Sequence, residues 1–282
     1  MKPPRLAAAI SLRLTSLNSK EKEAFVSHKL WFIIMSLFVL SDTHLSINDN
    51  KPMDIFGSRW AGYTEKIRVN WNSVVNPDDT VVVAGDISWA MSHTGALADL
   101  SFLNALHGTK IIGRGNHDYW WTSLTKLNRF CADNELTTLR FLYNNAIETD
   151  DFIVAGSRGW YIDESNRKMP QDADYAKIVA REAIRLELSL NEAQKLRAAA
   201  KERGQDKEIL VFLHFPPDFR GYVCREITAV MHKFGIRRCY FGHIHGVYDI
   251  ARSYVSDGIT YTLTSADFLN FVPLLIYPQN SF

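Results

Sequence analysis

Thiols, long apolar runs and surplus charge are all scarce in this chain, and each scarcity removes a class of function. Only three cysteines, Cys131, Cys224 and Cys239, occur in 282 residues. They are scattered, show no C-x-x-C spacing and leave one over. Neither a disulfide framework nor a thiolate zinc site is expected, and the chain reads as a cytoplasmic, reduced protein. Trp31–Leu40 is apolar for only ten residues, whereas a spanning helix needs about twenty, so no membrane association is expected. Lys plus Arg total 32 against 31 Asp plus Glu, a formal net charge of +1. That balance gives no basic field to draw nucleic acid and no acidic block of the kind that forms solvated tails. Internal repeats and low-complexity linkers are also missing.

The N-terminus lacks a good processing signal. Lys2 and Arg5 precede a short apolar stretch, Leu6–Leu12, but Arg13 interrupts it and no small-residue cleavage site follows. Met35 therefore reads as the natural start. Residues 1–34 are expected to be an upstream extension, and 35–282 a single domain.

What is present is ample apolar material, 46% of the residues, arranged in a β-α rhythm. Ser36–Leu40, Thr80–Ala84 and Lys110–Gly113 read as buried strands. Helical patterns at Tyr63–Val75, Thr94–Leu106 and Thr122–Cys131 follow them in turn. This alternation predicts a layered α/β domain with parallel pairing. Further strands are expected at Thr138–Leu142, Phe152–Ala155, Glu208–Leu213, Arg238–Phe241, Tyr248–Ile250 and Ile259–Leu263, with a helix near Glu226–Phe234. The charged stretch from Asp172 to Arg203 reads as a solvated helical face, with Ser189 and Glu192 as a capping box that would break it in two.

Five short polar segments follow apolar runs: Ser41-Asp42-Thr43-His44, Gly85-Asp86, Gly115-Asn116-His117-Asp118, Leu213-His214 and Gly242-His243-Ile244-His245. They hold five of the nine histidines. Singly most are weak, because Gly-Asp is ordinary turn chemistry and a lone Asp-x-His serves equally as a cap. Jointly they place oxygen and imidazole donors at five strand ends, where ligands collect in open α/β sheets. Such mixed donors suit Mn, Fe or Zn better than Ca or Mg.

The ordered set D-x-H, G-D, G-N-H-D, H, G-H-x-H resembles the calcineurin-like metallophosphoesterase superfamily, in particular its bacterial stand-alone phosphohydrolases. The resemblance runs from about Ser36 to His245. It implies a layered αββα-type sandwich of mixed sheets, with the metal site at the C-terminal ends of the strands. It also implies two divalent ions, Mn²⁺ first and Fe or Zn as alternatives. Asp42, His44 and His245 would hold the first ion, Asp86 would bridge, and Asn116, His214 and His243 would complete the second site. The implied reaction is hydrolysis of a phosphate mono- or diester by a hydroxide generated on the two metals.

His117 is the motif histidine without a metal role, and in the resembling family it protonates the leaving group or stabilises the transition state. Asp118 either orients His117 or points into the scaffold. Arg114 either grips phosphate bidentately, as in the protein-phosphatase branch, or pairs at a strand end. The protein-phosphatase continuation Gly-Asp-x-x-Asp-Arg-Gly is absent, since Gly85-Asp86 runs on as Ile87-Ser88-Trp89-Ala90. A phosphoprotein substrate is therefore not expected, and a phosphorylated small molecule is. Trp89, Tyr119, Trp120 and Trp121 follow metal motifs. Most are expected to pack loop against sheet, with Trp120 or Trp121 retained as a pocket wall. Asn48–Gly62 is read as a long loop able to act as a lid. Two other functions compete: a non-catalytic scaffold, which the full motif set opposes, and a nuclease, which the missing basic track opposes.

Overall fold

The computed structural model describes residues 35–48, 51, 53–161 and 172–278. The expected N-terminal extension, residues 1–34, lies outside the described residues. Ser36–Phe282 forms one compact unit.

Two sheets are built from strands whose side chains alternate between two apolar environments. In the first sheet, β1 (Leu37–Val39), β2 (Thr80–Ala84), β3 (Thr109–Gly113) and β4 (Leu139–Phe141) run parallel, and β13 (Leu274–Ile276) adds antiparallel at the β1 edge. In the second, β6 (Phe152–Ser157), β7 (Glu208–Leu213), β10 (Arg238–Phe241) and β12 (Ile259–Leu263) run parallel. Antiparallel β5 (Ala146–Glu148) and β11 (Ser253–Ser256) close its edges. A short ribbon, β8 (Asp218–Phe219) with β9 (Tyr222–Val223), stands apart.

The alternation decides the layering. Val82 and Ala84 of β2 join Leu210 and Phe212 of β7 in a cluster between the sheets. Their neighbours Val81 and Val83 face the other way, onto Ile67 and Trp71 of α1 (Tyr63–Val74) and Leu100 and Leu103 of α2 (Leu97–Ala105). Leu127 of α3 (Leu124–Asp133) joins the same outer layer. On the second sheet Ile209, Val211 and Leu213 face outward onto α4 (Asp172–Glu202) and α5 (Arg225–Lys233). Strands buried on both faces are largely apolar, so they read as near-continuous runs rather than as alternating ones. The result is the layered αββα sandwich of mixed sheets.

Two expectations change. α4 is one unbroken helix of 31 residues, with no break at Ser189. The Ser189 hydroxyl is buried, donates to the Asn145 carbonyl (2.7 Å) and accepts from Gly156 N–H (2.9 Å). It is engaged by the second sheet rather than by its own helix. Val179, Leu186, Leu190 and Ala193 are fully buried beneath it, and each leucine contributes about 1.5–3 kcal/mol of burial. Tyr248–Ile250 is also not a strand. The antiparallel edge begins at Ser253, where Ser253–Ser256 registers against Ile259–Thr262.

Candidate metal centre

Each motif lies just past the carboxyl end of a parallel strand: Asp42 after β1, Asp86 after β2, Asn116 after β3, His214 after β7 and His243 after β10. The strand ends of the two sheets are stitched together there. Ser41 Oγ and Thr264 Oγ1 are 2.9 Å apart, and Ser41 N–H donates to the Thr264 carbonyl (2.9 Å). Residues over 200 positions apart in sequence thus meet on one rim.

The backbone is strained where the donors are. Asp42, His44, Asp86 and His243 all have positive φ, between 44° and 68°. Such conformations cost non-glycine residues energy and cluster at functional sites. Two glycines explain the motif spelling. A Cβ on Gly115 would lie 2.0 Å from Asp86 Oδ1, and one on Gly242 would lie 2.2 Å from Asp42 Oδ2. No side chain fits at either position.

Two clusters result. Asp42, His44 and His245 form one, and Asp86, His214 and His243 the other. Asp86 Oδ1 accepts from His117 N–H (2.8 Å). Its Oδ2 lies 3.7 Å from His44 Nε2 and 3.5 Å from His214 Nε2, so one carboxylate oxygen faces both clusters. His245 Nε2 lies 3.6 Å from Asp42 Oδ1 and 3.1 Å from His44 Nε2. Asn116 Oδ1 reaches His214 Nε2 at 2.7 Å, joining the second cluster.

The donor set fits two divalent cations. The carboxylate–imidazole separations exceed a good hydrogen bond, while the lone pairs converge. Burial, together with Asp118 and Asp42, holds the Asp86 carboxyl well above the usual carboxylate range, and burial also raises Asp42. Burial and the neighbouring imidazoles keep His44 and His214 well below the usual histidine range. Neutral imidazoles at His44 and His214 beside the buried Asp86 carboxyl are what a cation requires of its ligands. The site carries mixed nitrogen and oxygen donors and no thiol.

Asp267, after β12, carried no sequence signal. It is completely buried. Its Oδ1 sits 2.8 Å from His245 Nδ1, and its Oδ2 accepts from Gly246 N–H and the Tyr248 hydroxyl (3.1 and 3.0 Å). Burial opposes a charge on His245, but the bonds with Asp267 and Asp42 overcome it and lift the imidazole to about 10. With Nδ1 held by a carboxylate, Nε2 is turned to the cluster, the arrangement by which outer carboxylates orient ligand histidines.

Asp118 points into the scaffold. Its carboxylate accepts from the backbone N–H groups of Asp86, Ile87, Ser88 and Gly115 and from the Trp120 indole, between 2.7 and 3.3 Å. The two motif loops are thereby clamped together, and none of these bonds reaches His117. His117 Nδ1 is buried without a partner among the described residues. Burial, with Lys51 and His245, pushes the ring down to about 4.

The aromatic wall is another residue than expected. Trp120 and Trp121 are core, 1% and 8% exposed, and Tyr119 faces solvent. Trp89 instead stacks on His44 (ring centroids 5.0 Å) and sits 4.3 Å from the His117 ring. Trp60 packs edge-on to His44 and His245. It lies within the segment expected as a lid, which contains two 3-10 turns, Met53–Phe56 and Ser58–Trp60, anchored by buried Met53 and Trp60.

The calcineurin-like phosphoesterase family model matches residues 35–247, and the chain belongs to this family. No curated protein matches the chain. Among solved structures it is similar to a protein of unknown function, AQ665, from Aquifex aeolicus (16% identity, TM-score 0.41, covering 86% of this chain and 95% of that one). It is also similar to the phosphopantetheinyl hydrolase PptH from Mycobacterium tuberculosis (15%, 0.47, 88% and 97%). A third is TT1561 of Thermus thermophilus (13%, 0.47, 83% and 90%).

Proposed function

We propose that this chain is a dinuclear metal-dependent phosphohydrolase that cleaves a phosphate ester of a small molecule. The observation that carries the proposal is the position of Asp86 Oδ2, within 3.7 Å of a histidine of each cluster. In this reading Asp42, His44 and His245 hold one ion, Asn116, His214 and His243 hold the other, and Asp86 bridges. When bound, two such ions supply Lewis acidity to the phosphoryl oxygens and a water of lowered pKa. Mn²⁺ is the first choice, with Fe or Zn compatible with the same donors.

The remaining steps belong to the chain. Asp267 holds His245 in one tautomer. Asp118 fixes the loop that carries Asn116 and His117. His117, backed by Trp89, donates its N–H or its proton to the departing alkoxide. A neutral imidazole does the first of these. The phosphoryl dianion beside it favours protonation and so the second. Arg114, two residues before Asn116, takes a phosphoryl oxygen. The catalytic unit is the single domain 35–282. Its three cysteines are buried free thiols, which supports a reducing setting. Among the described residues no helix is long and apolar enough to cross a membrane.

A panel of phosphomonoesters, phosphodiesters, nucleotides and polynucleotides with added Mn²⁺ tests the reading, with Asp86→Asn as control. Turnover of small phosphate esters that depends on metal and on Asp86 is the expected result. Turnover of none of them after reconstitution favours the non-catalytic scaffold, and steeply salt-dependent cleavage of polynucleotides alone favours a nuclease.

A further inference from the structure

Beside the metal centre lies a cavity of about 370 Å³ that the cluster itself does not explain. One wall is Arg114, two residues and so at most about 7 Å of chain from Asn116. A second is Arg158, just past β6, whose carbonyl accepts from His214 and Phe215 N–H (3.1 and 2.9 Å). The third is one face of α4: Ile178, Arg181, Glu182 and Arg185, at i, i+3, i+4 and i+7. The buried Ser189 contacts dock that face over the strand ends.

Four guanidiniums here face one carboxylate. Glu182 Oε1 is shared between Arg158 (3.5 Å) and Arg185 (3.6 Å). The surplus is three positive charges on a partly closed cavity. Aromatic rings hold two of the arginines: Arg185 lies 4.9 Å over Tyr143, and Arg158 lies 5.4 Å from Trp160. The cavity also collects unmet donors. Arg114 Nε, Arg158 Nε and Trp160 Nε1 are buried with no hydrogen-bond partner among the described residues, and Asn144 Oδ1 and Glu182 Oε2 beside them are likewise unpaired. Buried N–H groups without acceptors are costly, and three around one positively charged cavity ask for an anion rich in acceptors.

We propose that the cavity bounded by Arg114, Arg158, Arg181 and Arg185 binds a second phosphoryl group, with Arg114 shared between it and the cleaved one, so that the substrates are small molecules carrying two phosphoryl groups, one cleaved and one held. A phosphoryl dianion matches the surplus charge and offers bidentate partners to the guanidiniums. The substrate claim rests on the phosphohydrolase reading, whereas the anion site does not.

The test separates the two. Full-length protein stripped of metal with EDTA is titrated with inorganic phosphate by calorimetry, folding being checked by circular dichroism. Wild-type protein binds phosphate. Arg185→Gln weakens binding by at least about tenfold, the loss of one charge-assisted bond. Arg197→Gln, on the same helix but outside the cavity, binds as wild type. Glu182→Gln binds about threefold tighter or more, because a competing carboxylate is removed. A purely structural role for Glu182 predicts weakening instead. Absence of phosphate binding, or equal binding by wild type and Arg185→Gln, overturns the site. With Mn²⁺ restored, a nucleoside 3′,5′-bisphosphate is expected to exceed the 5′-monophosphate by at least about tenfold in kcat/KM, chiefly through KM. Equal values overturn the substrate class. Phosphate binding as expected, with no ester hydrolysed, upholds the anion site and removes the phosphohydrolase reading alone.

Discussion

The metal cluster and the arginine cavity adjoin, yet they are built in opposite ways. Every donor of the cluster sits in a short turn past a strand end, four of the seven on strained backbone, with glycines that leave room for neighbouring carboxylates. The cavity draws its cations from two strand ends and the middle of a long helix. A metal demands donors of fixed type within about 2 Å, so its ligands are constrained residue by residue. An anion held by flexible guanidiniums constrains only charge and rough position. The first kind of site leaves motifs; the second leaves a surface that only the fold assembles.

If the two regions are separate in this sense, variants divide cleanly between them. The largest effect is expected from Asp86→Asn, which weakens the shared ligand of both ions. Hydrolysis of every substrate should fall by at least about 10²-fold, while phosphate binding by the metal-free protein stays intact. Near-normal turnover would break the bridging assignment, and lost phosphate binding would break the separation. His117→Ala is expected to cost about 10²-fold on alkyl phosphates but under about tenfold on activated aryl esters, whose leaving groups need no proton. Steady-state rates on a leaving-group series check this, and equal losses would contradict it. Asp267→Asn, which touches the cluster only through His245, should weaken metal binding about 10- to 100-fold. Metal titration followed by activity and by bound metal reads the change, and unaltered affinity would make Asp267 a packing residue. The smallest effect is on stability. Mn²⁺ at about 100 times its dissociation constant should stabilise the fold by about 2.7 kcal/mol, or roughly 5–10 °C in Tm for a domain of this size. Asp86→Asn should show a smaller shift by calorimetry.

The same contrast explains what was legible from residues alone. Thr80–Ala84, Glu208–Leu213, Arg238–Phe241 and Ile259–Leu263 are strands at the expected boundaries, because strands buried in the sheet are rich in apolar, aromatic and β-branched residues and are bounded by turn residues. Tyr248–Ile250 misled because an aromatic and an isoleucine at alternate positions resemble a strand, and only pairing with β12 decides where the edge begins. The expected break at Ser189 failed for a related reason. A serine followed three residues later by a glutamate satisfies the capping pattern, but this hydroxyl is bonded to another sheet. In the site, the ligand pattern stands in local motifs. Asp267 does not: its partner His245 is 22 residues away, and Ala266-Asp267-Phe268 looks like any turn. Trp89, rather than Trp120 or Trp121, faces the histidines because the Asp118 clamp draws the Trp120 indole inward.

The central claim is that Asp86 joins two cation sites into one centre. Metal analysis by inductively coupled plasma mass spectrometry, on protein reconstituted with Mn²⁺ and freed of loose ions, tests it most directly. Two ions per wild-type chain and a clear loss in Asp86→Asn are expected. Fewer than one ion per wild-type chain, or two retained in Asp86→Asn, would contradict it.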